Sequence, residues 1–219
     1  TSSPSVGYIH VASARRSDTS TIELTTLRLG NSSASGTIGQ IYATALVKDG
    51  TGELQITNPQ TTSGFSGNII LNAGNLTLTS VATSGLDSVG GIGGAIVING
   101  YGSQLALTSA ATSATGVTFQ NNLFIGENNP LALIANTTGT SGYNNIGSLT
   151  FGGITGATAT PESREQGQTL QVTGSGTTSL GLRVTGTTNL GPAGNIFFRP
   201  GTDLVGDVTL GGLVTGSGT

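Results

Sequence analysis

Apolar residues alternate with small polar residues in short runs along nearly the whole chain. The segment Gly67–Ser80 reads GNIILNAGNLTLTS, with apolar side chains at Ile69, Leu71, Leu76 and Leu78. This period of two is typical of β-strands that bury one face, and helical periodicity is almost absent. Sixteen strands are predicted on this basis: Tyr8–Ala12, Thr21–Leu29, Gln40–Val47, Glu53–Thr57, Asn68–Asn72, Leu76–Thr79, Ala95–Asn99, Gln104–Thr108, Val117–Gln120, Leu123–Gly126, Leu131–Ala135, Ser148–Phe151, Thr169–Thr173, Ser179–Thr185, Asn195–Arg199 and Asp207–Leu210.

The opening pattern, which starts at Gly67, recurs from Gly94 as GAIVINGYGSQLALTS. Both copies read glycine, a small residue, an alternating apolar pair, Asn, a glycine-containing turn and then Leu-x-Leu-Thr-Ser. A weaker third copy, GNIFFRPGTDLVGDVTLGG, begins at Gly194, and VTGSGT occurs at Val172 and again at Val214. Degenerate self-similarity of this kind is the mark of a repeat architecture.

A β-solenoid accounts for these repeats, because each turn of chain adds short strands that pair with the turns above and below it. We therefore expect an all-β, right-handed parallel β-helix with short strands and Gly/Asn turns over residues 1–219, at roughly 22 residues per coil and about ten coils. In this arrangement Ile69 stacks near Ile96 and Leu76 near Leu105, while Asn72 and Gly74 turn the corner. A β-sandwich or jelly roll is the alternative fold, and an intertwined trimeric fibre is a further one.

The strand pattern is interrupted at TPESREQG, Thr160–Gly167. Thr160 and Pro161 suit the start of a short helical turn, but a protruding loop over residues 156–167 explains the gap more simply. We predict the loop.

Composition excludes several classes of function. Only 8% of residues are charged and 37 are glycine, while the chain contains no Cys, Met or Trp. Thiolate metal sites and cysteine nucleophiles are therefore excluded. A net charge of -3 with seven Lys plus Arg disfavours nucleic-acid binding. No apolar run reaches the ~18 residues of a membrane span. The chain begins at Thr1 without a signal-peptide pattern, which indicates a processed piece of a longer exported protein.

Residues that could support catalysis are scarce. His10 is the only histidine, with Asp18 as its nearest candidate orienting residue, and no G-x-S-x-G segment presents a serine, so we interpret His10 as a strand residue. Arg15 and Arg16 are interpreted as a solvated turn. Carbohydrate-cleaving β-helices need clustered carboxylates; Asp203 with Asp207 is the first pair to consider here, whereas Glu162 and Glu165 fall in the predicted loop.

Three further motifs favour structural interpretations. SVGGIGGAIVING has Gly90, Gly91 and Gly93 in the calcium-nonapeptide spacing, but Ala95 replaces the required Asp, so it is interpreted as a turn. Thr77 and Thr79 form a Thr-x-Thr pair, but such pairs do not keep one phase of the repeat, which disfavours an ice-binding face. N-x-[ST] sequons occur at Asn31, Asn75 and Asn136.

The repeats GNIILNAGNLTLTS and GAIVINGYGSQLALTS resemble those of large bacterial exoproteins, namely filamentous-haemagglutinin-type adhesins and autotransporter passenger domains. The resemblance covers Gly67 to Ser109. It implies a β-helix at or beyond the cell surface, with no fixed catalytic residues to transfer.

The expected function is accordingly structural or adhesive: a non-catalytic extracellular rod or filament subunit at the bacterial cell surface. No catalytic, cofactor-binding or metal-ligating residue is assigned. The expected partners are further copies of the chain, joined by strand addition at the ends, and glycans or proteins on a host or neighbouring cell. If the carboxyl end of one copy, VTGSGT, were followed by the start of another, TSS, the joined sequence would resemble VTGSGTTSL at Val172–Leu180. This similarity suggests that copies of the chain abut one another. A carbohydrate-active enzyme on the same scaffold and a viral fibre or capsid protein are the alternatives.

Overall fold

The chain forms 22 short strands within the part that the structure describes. The computed structural model describes residues 5–15, 22–23, 25–29, 41–57, 65–127, 129–137, 141–154, 167–174, 181–191, 195–201 and 207–216. The strands are β1 Val6–His10, β2 Ala14–Arg15, β3 Ile22–Glu23, β4 Thr26–Leu29, β5 Ala45–Asp49, β6 Glu53–Ile56, β7 Asn68–Leu71, β8 Asn75–Thr79, β9 Gly85–Asp87, β10 Ala95–Ile98, β11 Gln104–Thr108, β12 Val117–Phe119, β13 Asn122–Ile125, β14 Leu131–Thr137, β15 Tyr143–Ile146, β16 Leu149–Phe151, β17 Gly167–Thr173, β18 Gly181–Val184, β19 Thr188–Asn189, β20 Asn195–Pro200, β21 Val208–Leu210 and β22 Val214–Thr215.

Twenty of these strands build three parallel sheets that run side by side. Sheet 1 has the order β1-β5-β7-β10-β13-β16-β19-β22, sheet 2 the order β20-β17-β14-β11-β8-β6-β4, and sheet 3 the order β21-β18-β15-β12-β9. From β7 onward each turn of chain visits the three sheets in succession and then pairs with the next turn, whereas among the described residues the earlier turns contribute strands to sheets 1 and 2 but not to sheet 3. The chain is therefore a parallel β-helix, as predicted. The antiparallel pairing that a sandwich requires is confined to β2 and β3 within the described residues. Strand order alone does not distinguish the two hands, and the right-handed winding stays a prediction.

The core is a set of side-chain ladders between the sheets. Ile69 pairs in register with Ile96, and Leu76 with Leu105, as the repeat predicted. These four side chains are 0–1% exposed. Since each rung covers the next, a narrow stripe of aliphatic residues is enough to exclude water along the whole axis.

The corner between sheets 1 and 2 also forms as predicted. Asn72 and Gly74 lie between β7 and β8, and Gly74 has φ 73°, a left-handed conformation that favours glycine. On the next coil Asn99 donates from Nδ2 to Asn72 Oδ1 at 3.2 Å, so the corner asparagines form a ladder of their own.

The predicted coil length of roughly 22 residues fits the coil in which Glu53 is in register with Asn75, but it is too short for the other coils. The stacked corner residues Asn72 and Asn99 are 27 positions apart in the sequence. Later in the chain one coil is longer still, because Thr185 donates to Ile146 O across a separation of 39 positions. From β7 onward the coils exceed the prediction because each of them contains a third strand, which sheet 3 supplies.

Two strands of sheet 3, β9 and β15, were not predicted, because inward positions in each are polar. Asp87 and Asn144 occupy inward rungs and are 8% and 0% exposed. Ser109 donates from Oγ to Asn144 Oδ1 at 2.6 Å, and Asn144 donates from Nδ2 to Leu107 O at 2.9 Å. These hydrogen bonds satisfy the buried amide, so a strand forms where the apolar alternation is lost.

Two apparent repeats are out of phase with the coils. The third copy from Gly194 contains β20, which pairs with β17 in sheet 2, whereas β7 and β10 belong to sheet 1. Similarly, Val172 lies in sheet 2 and Val214 in sheet 1. The two VTGSGT segments are therefore similar in sequence but not equivalent in structure. Their similarity does not support tandem copies that continue the same succession of sheets. The predicted loop 156–167 lies outside the described residues, except that Gly167 begins β17.

Candidate functional site

The two ends of the solenoid expose residues that are core elsewhere. Leu27 in β4 is in register with Leu54, which is 0% exposed, yet Leu27 itself is 41% exposed. At the opposite end Val214 in β22 pairs with the buried Thr188 and is 47% exposed. Phe198, in the edge strand β20, is 37% exposed. These apolar rungs and the outer edges of their strands form a surface to which further strands can be added.

The outer face of sheet 1 is unusually apolar over its first five rungs. The outward residues in register are Tyr8, Val47, Ile70, Val97 and Phe124. Tyr8 is 78% exposed, while Val47 in the next rung is 8% exposed. Beyond Phe124 the ladder becomes polar.

The outer face of sheet 2 has a hydrogen-bonded polar network instead. Arg28 donates from Nε to Gln55 Oε1 at 2.8 Å, and Gln55 donates from Nε2 to Thr79 Oγ1 at 3.1 Å. Thr26 donates from Oγ1 to Glu53 Oε2 at 2.8 Å, and Thr77 donates to the other oxygen of Glu53. The network binds three coils together.

Thr77 and Thr79 are thus engaged with protein partners, and Ala106 takes the rung after Thr77. This interruption supports the interpretation against an ice-binding array, which needs a continuous outward row of threonines.

One charged residue occupies a core rung that the sequence pattern did not identify. Lys48 is the inward partner of Ile9 and Leu71, and it is 0% exposed. Its ammonium donates to Asp49 O at 2.9 Å, Gly50 O at 2.6 Å and Ala73 O at 2.8 Å. Burial lowers the pKa of Lys48, and the nearby carboxylate of Asp49 opposes that change only in part. With its three donors satisfied, Lys48 closes the corner between two coils.

His10 lies at the end of β1, and its Nδ1 is 3.9 Å from Asp49 Oδ2. The two side chains are 67% and 59% exposed, so the contact is a solvated one. The carboxylate beside the imidazole belongs to Asp49; Asp18, the residue considered from the sequence, lies outside the described residues. Within those residues no hydroxyl is hydrogen-bonded to His10.

Most of the other residues singled out in the sequence lie outside the part of the chain that the structure describes. Asp207 precedes β21, whereas Asp203, Glu162, Glu165 and Arg16 lie outside the described residues. The segment with Gly90, Gly91 and Gly93 forms the predicted turn before β10.

Of the sequons, Asn75 begins β8 and Asn136 lies in β14, whereas Asn31 lies outside the described part of the chain.

The described residues contain no group of three or more His, Asp or Glu side chains placed to hold a metal ion. The same residues contain no helix that could span a bilayer. Comparison of the chain with protein-family models, with curated proteins and with solved structures found no match.

Proposed function

We propose that the chain is a structural and adhesive segment of an extracellular bacterial surface protein, a stiff rod that extends by end-to-end contact. The observation that carries this proposal is the exposure of apolar core rungs at both ends, in Leu27 and Val214, on strands whose inner neighbours are fully covered. Fully burying such a side chain is favourable by roughly 1.5–3 kcal/mol, and because Leu27 and Val214 are already about half buried, a further coil would gain about 1 kcal/mol from each.

The rest of the molecule suits a mechanical role. Three parallel sheets run along one axis, and the hydrogen bonds between coils lie along that axis. The corner asparagines, the Lys48 contacts and the outer polar network each join consecutive coils. Such a rod resists bending and local opening because every coil is held by both of its neighbours. Its long outer faces are then available for contacts with another cell.

The test is the size and shape of the particle as a function of concentration. Light scattering coupled to size exclusion, together with electron microscopy, should show rods one solenoid wide that lengthen with concentration. Val214→Lys should shorten them, because it places an ammonium on the exposed core rung of the carboxyl-terminal edge. Val81→Lys is the matched control, since Val81 is 56% exposed but lies at a corner in the middle of the solenoid.

Particles that stay single at every concentration would contradict end-to-end assembly. Equal shortening by Val81→Lys would also contradict it, because the contact would then be lateral.

A further inference from the structure

A groove opens on the outer face of sheet 1, where the apolar ladder becomes polar. Its outward residues are Phe124, Thr150 and Asn189, on successive strands β13, β16 and β19. Glu127 borders it from the following corner, and the groove has a volume of about 370 Å³. Three rungs span about 10 Å, so the groove is long enough for one or two small ring-shaped units.

Two glycines line this groove where consecutive coils approach closely. A Cβ added at Gly152 would lie 2.7 Å from Glu127 N and 3.0 Å from Glu127 Cγ, so the stem of Glu127 rests over Gly152. Gly191, on the next coil, has φ +79° and also carries no side chain into the groove. The corners that contain these glycines therefore pack directly on the coil before, and the groove lies between them and the outward ladder.

The polar groups of the groove are available to a ligand. Glu127 is exposed, and its carboxylate makes no hydrogen bond or ion pair with the part of the chain that the structure describes. Asn189 Oδ1 accepts from Gly191 N at 3.0 Å, which fixes the side-chain amide and leaves Nδ2 to donate. The Thr150 hydroxyl can donate or accept, and the half-buried Phe124 supplies an apolar ring.

We propose that this groove binds a neutral pyranose unit of a polysaccharide. A pyranose has an apolar C–H face that can lie on Phe124 and a rim of hydroxyl groups. Those hydroxyls can donate to the Glu127 carboxylate and accept from Asn189 Nδ2. Uronic acids and other anionic sugars are disfavoured, because Glu127 and the net charge of -3 repel them.

The groove is open and small, so the dissociation constant for a single sugar unit is on the order of 1 mM. Repetition along a glycan chain, or along a row of assembled copies, would raise the avidity. This inference names the ligand for the adhesive part of the proposed function, but the binding itself does not require assembly.

Saturation-transfer NMR on the whole chain tests the proposal. The probes are methyl glucoside, methyl galactoside and N-acetylglucosamine as neutral sugars, with methyl glucuronide as an anionic sugar and glucosamine as a cationic one. At least one neutral probe should receive saturation. Phe124→Ala should weaken its binding about three- to tenfold through loss of the ring contact. Glu127→Gln should weaken it about fivefold, since a charge-assisted hydrogen bond becomes a neutral one.

Matched controls separate this groove from the rest of the surface. Tyr8→Ala removes an aromatic ring from the same outward ladder, and Glu53→Gln neutralises a carboxylate on sheet 2. Neither control should change binding. Circular dichroism and urea midpoints establish that the variants remain folded.

The proposal is overturned if no neutral probe receives saturation, or if saturation persists unchanged in both groove variants. It is also overturned if only glucosamine binds and Glu127→Gln abolishes that binding, because the groove would then be a cation site. Each of these results leaves the concentration dependence of rod length untouched, so a failure of this inference is distinct from a failure of end-to-end assembly.

Discussion

Lys48 places an ammonium in a ladder whose other members are apolar, and replacing it with methionine tests what the ammonium contributes. The equivalent inward rungs are Ile9 before it and Leu71 and Ile98 after it. Methionine matches the length of the lysine stem and buries a similar apolar area, so the substitution changes hydrophobic burial little. What it removes is the set of three hydrogen bonds to the corner carbonyls.

The loss of stability depends on whether those carbonyls keep another hydrogen-bond donor. Asp49 O keeps a second donor, Val11 N at 3.0 Å, whereas Gly50 O and Ala73 O have no other donor among the described residues. Leaving a buried acceptor unpaired costs about 1–3 kcal/mol. Gly50 and Ala73 are only half-buried, and relief of the ammonium's desolvation offsets part of the loss, so the lower end applies to each carbonyl. We therefore expect Lys48→Met to lower the free energy of unfolding by about 2 kcal/mol.

Urea unfolding followed by circular dichroism measures this change, since the chain has no tryptophan to report by fluorescence. Hydrogen exchange of the Asn72 amide, which donates to Lys48 O at 2.9 Å, reports on the corner locally. The control is Ile98→Met, two rungs away in the same ladder, which should cost less than about 1.5 kcal/mol. The reasoning is refuted if Lys48→Met is as stable as the wild type, or if it costs no more than the control.

Two further predictions concern pH and backbone packing. Burial lowers the pKa of Lys48 in the folded state below its unfolded value of about 10.4. At a pH between the folded and the unfolded pKa, the unfolded state therefore binds more protons than the folded state. The free energy of unfolding should therefore rise with pH across that alkaline range and should not depend on Lys48 below it. Lys48→Met should reduce the rise of the urea midpoint with pH. An identical rise in that variant would contradict the assignment. Gly94→Ala should be severely destabilising, because its Cβ would lie 2.0 Å from Gly67 O on the coil before, while Gly93→Ala should cost only about 1 kcal/mol, since its φ is +78° but nothing lies within 4 Å. Thermal unfolding of the two neighbouring variants measures the difference, and equal midpoints would show that the coils do not approach as closely as described.

The local pattern of apolar and polar residues was enough to predict the type of fold and the clearest repeat within the chain. The period-two alternation in GNIILNAGNLTLTS and GAIVINGYGSQLALTS predicted strands, and their similarity predicted that Ile69 and Leu76 stack on Ile96 and Leu105. This succeeds because both copies have coils of nearly equal length, so local pattern and three-dimensional register coincide. The Asn72–Gly74 corner was predictable for the same reason, since turn chemistry is local.

The phase of the remaining segments could not be predicted in this way, because it depends on how the coils stack. Which sheet a strand joins depends on the length of each coil, and the step from Leu149 to Thr188 is much longer than the steps before and after it in the same sheet. That is why the Gly194 copy and the second VTGSGT fall on different sheets from their sequence counterparts. The burial of the inward polar residues of sheet 3 and of Lys48 could not be predicted from the sequence either, because their hydrogen-bond partners include groups on other coils. The groove at Phe124 and Glu127 is also lined by Gly152 and Gly191 from two further coils, and no local pattern links them. Strand alternation and turn residues depend only on nearby positions in the sequence. Contacts between residues on different coils depend on the register between the coils, which is set only when the chain winds.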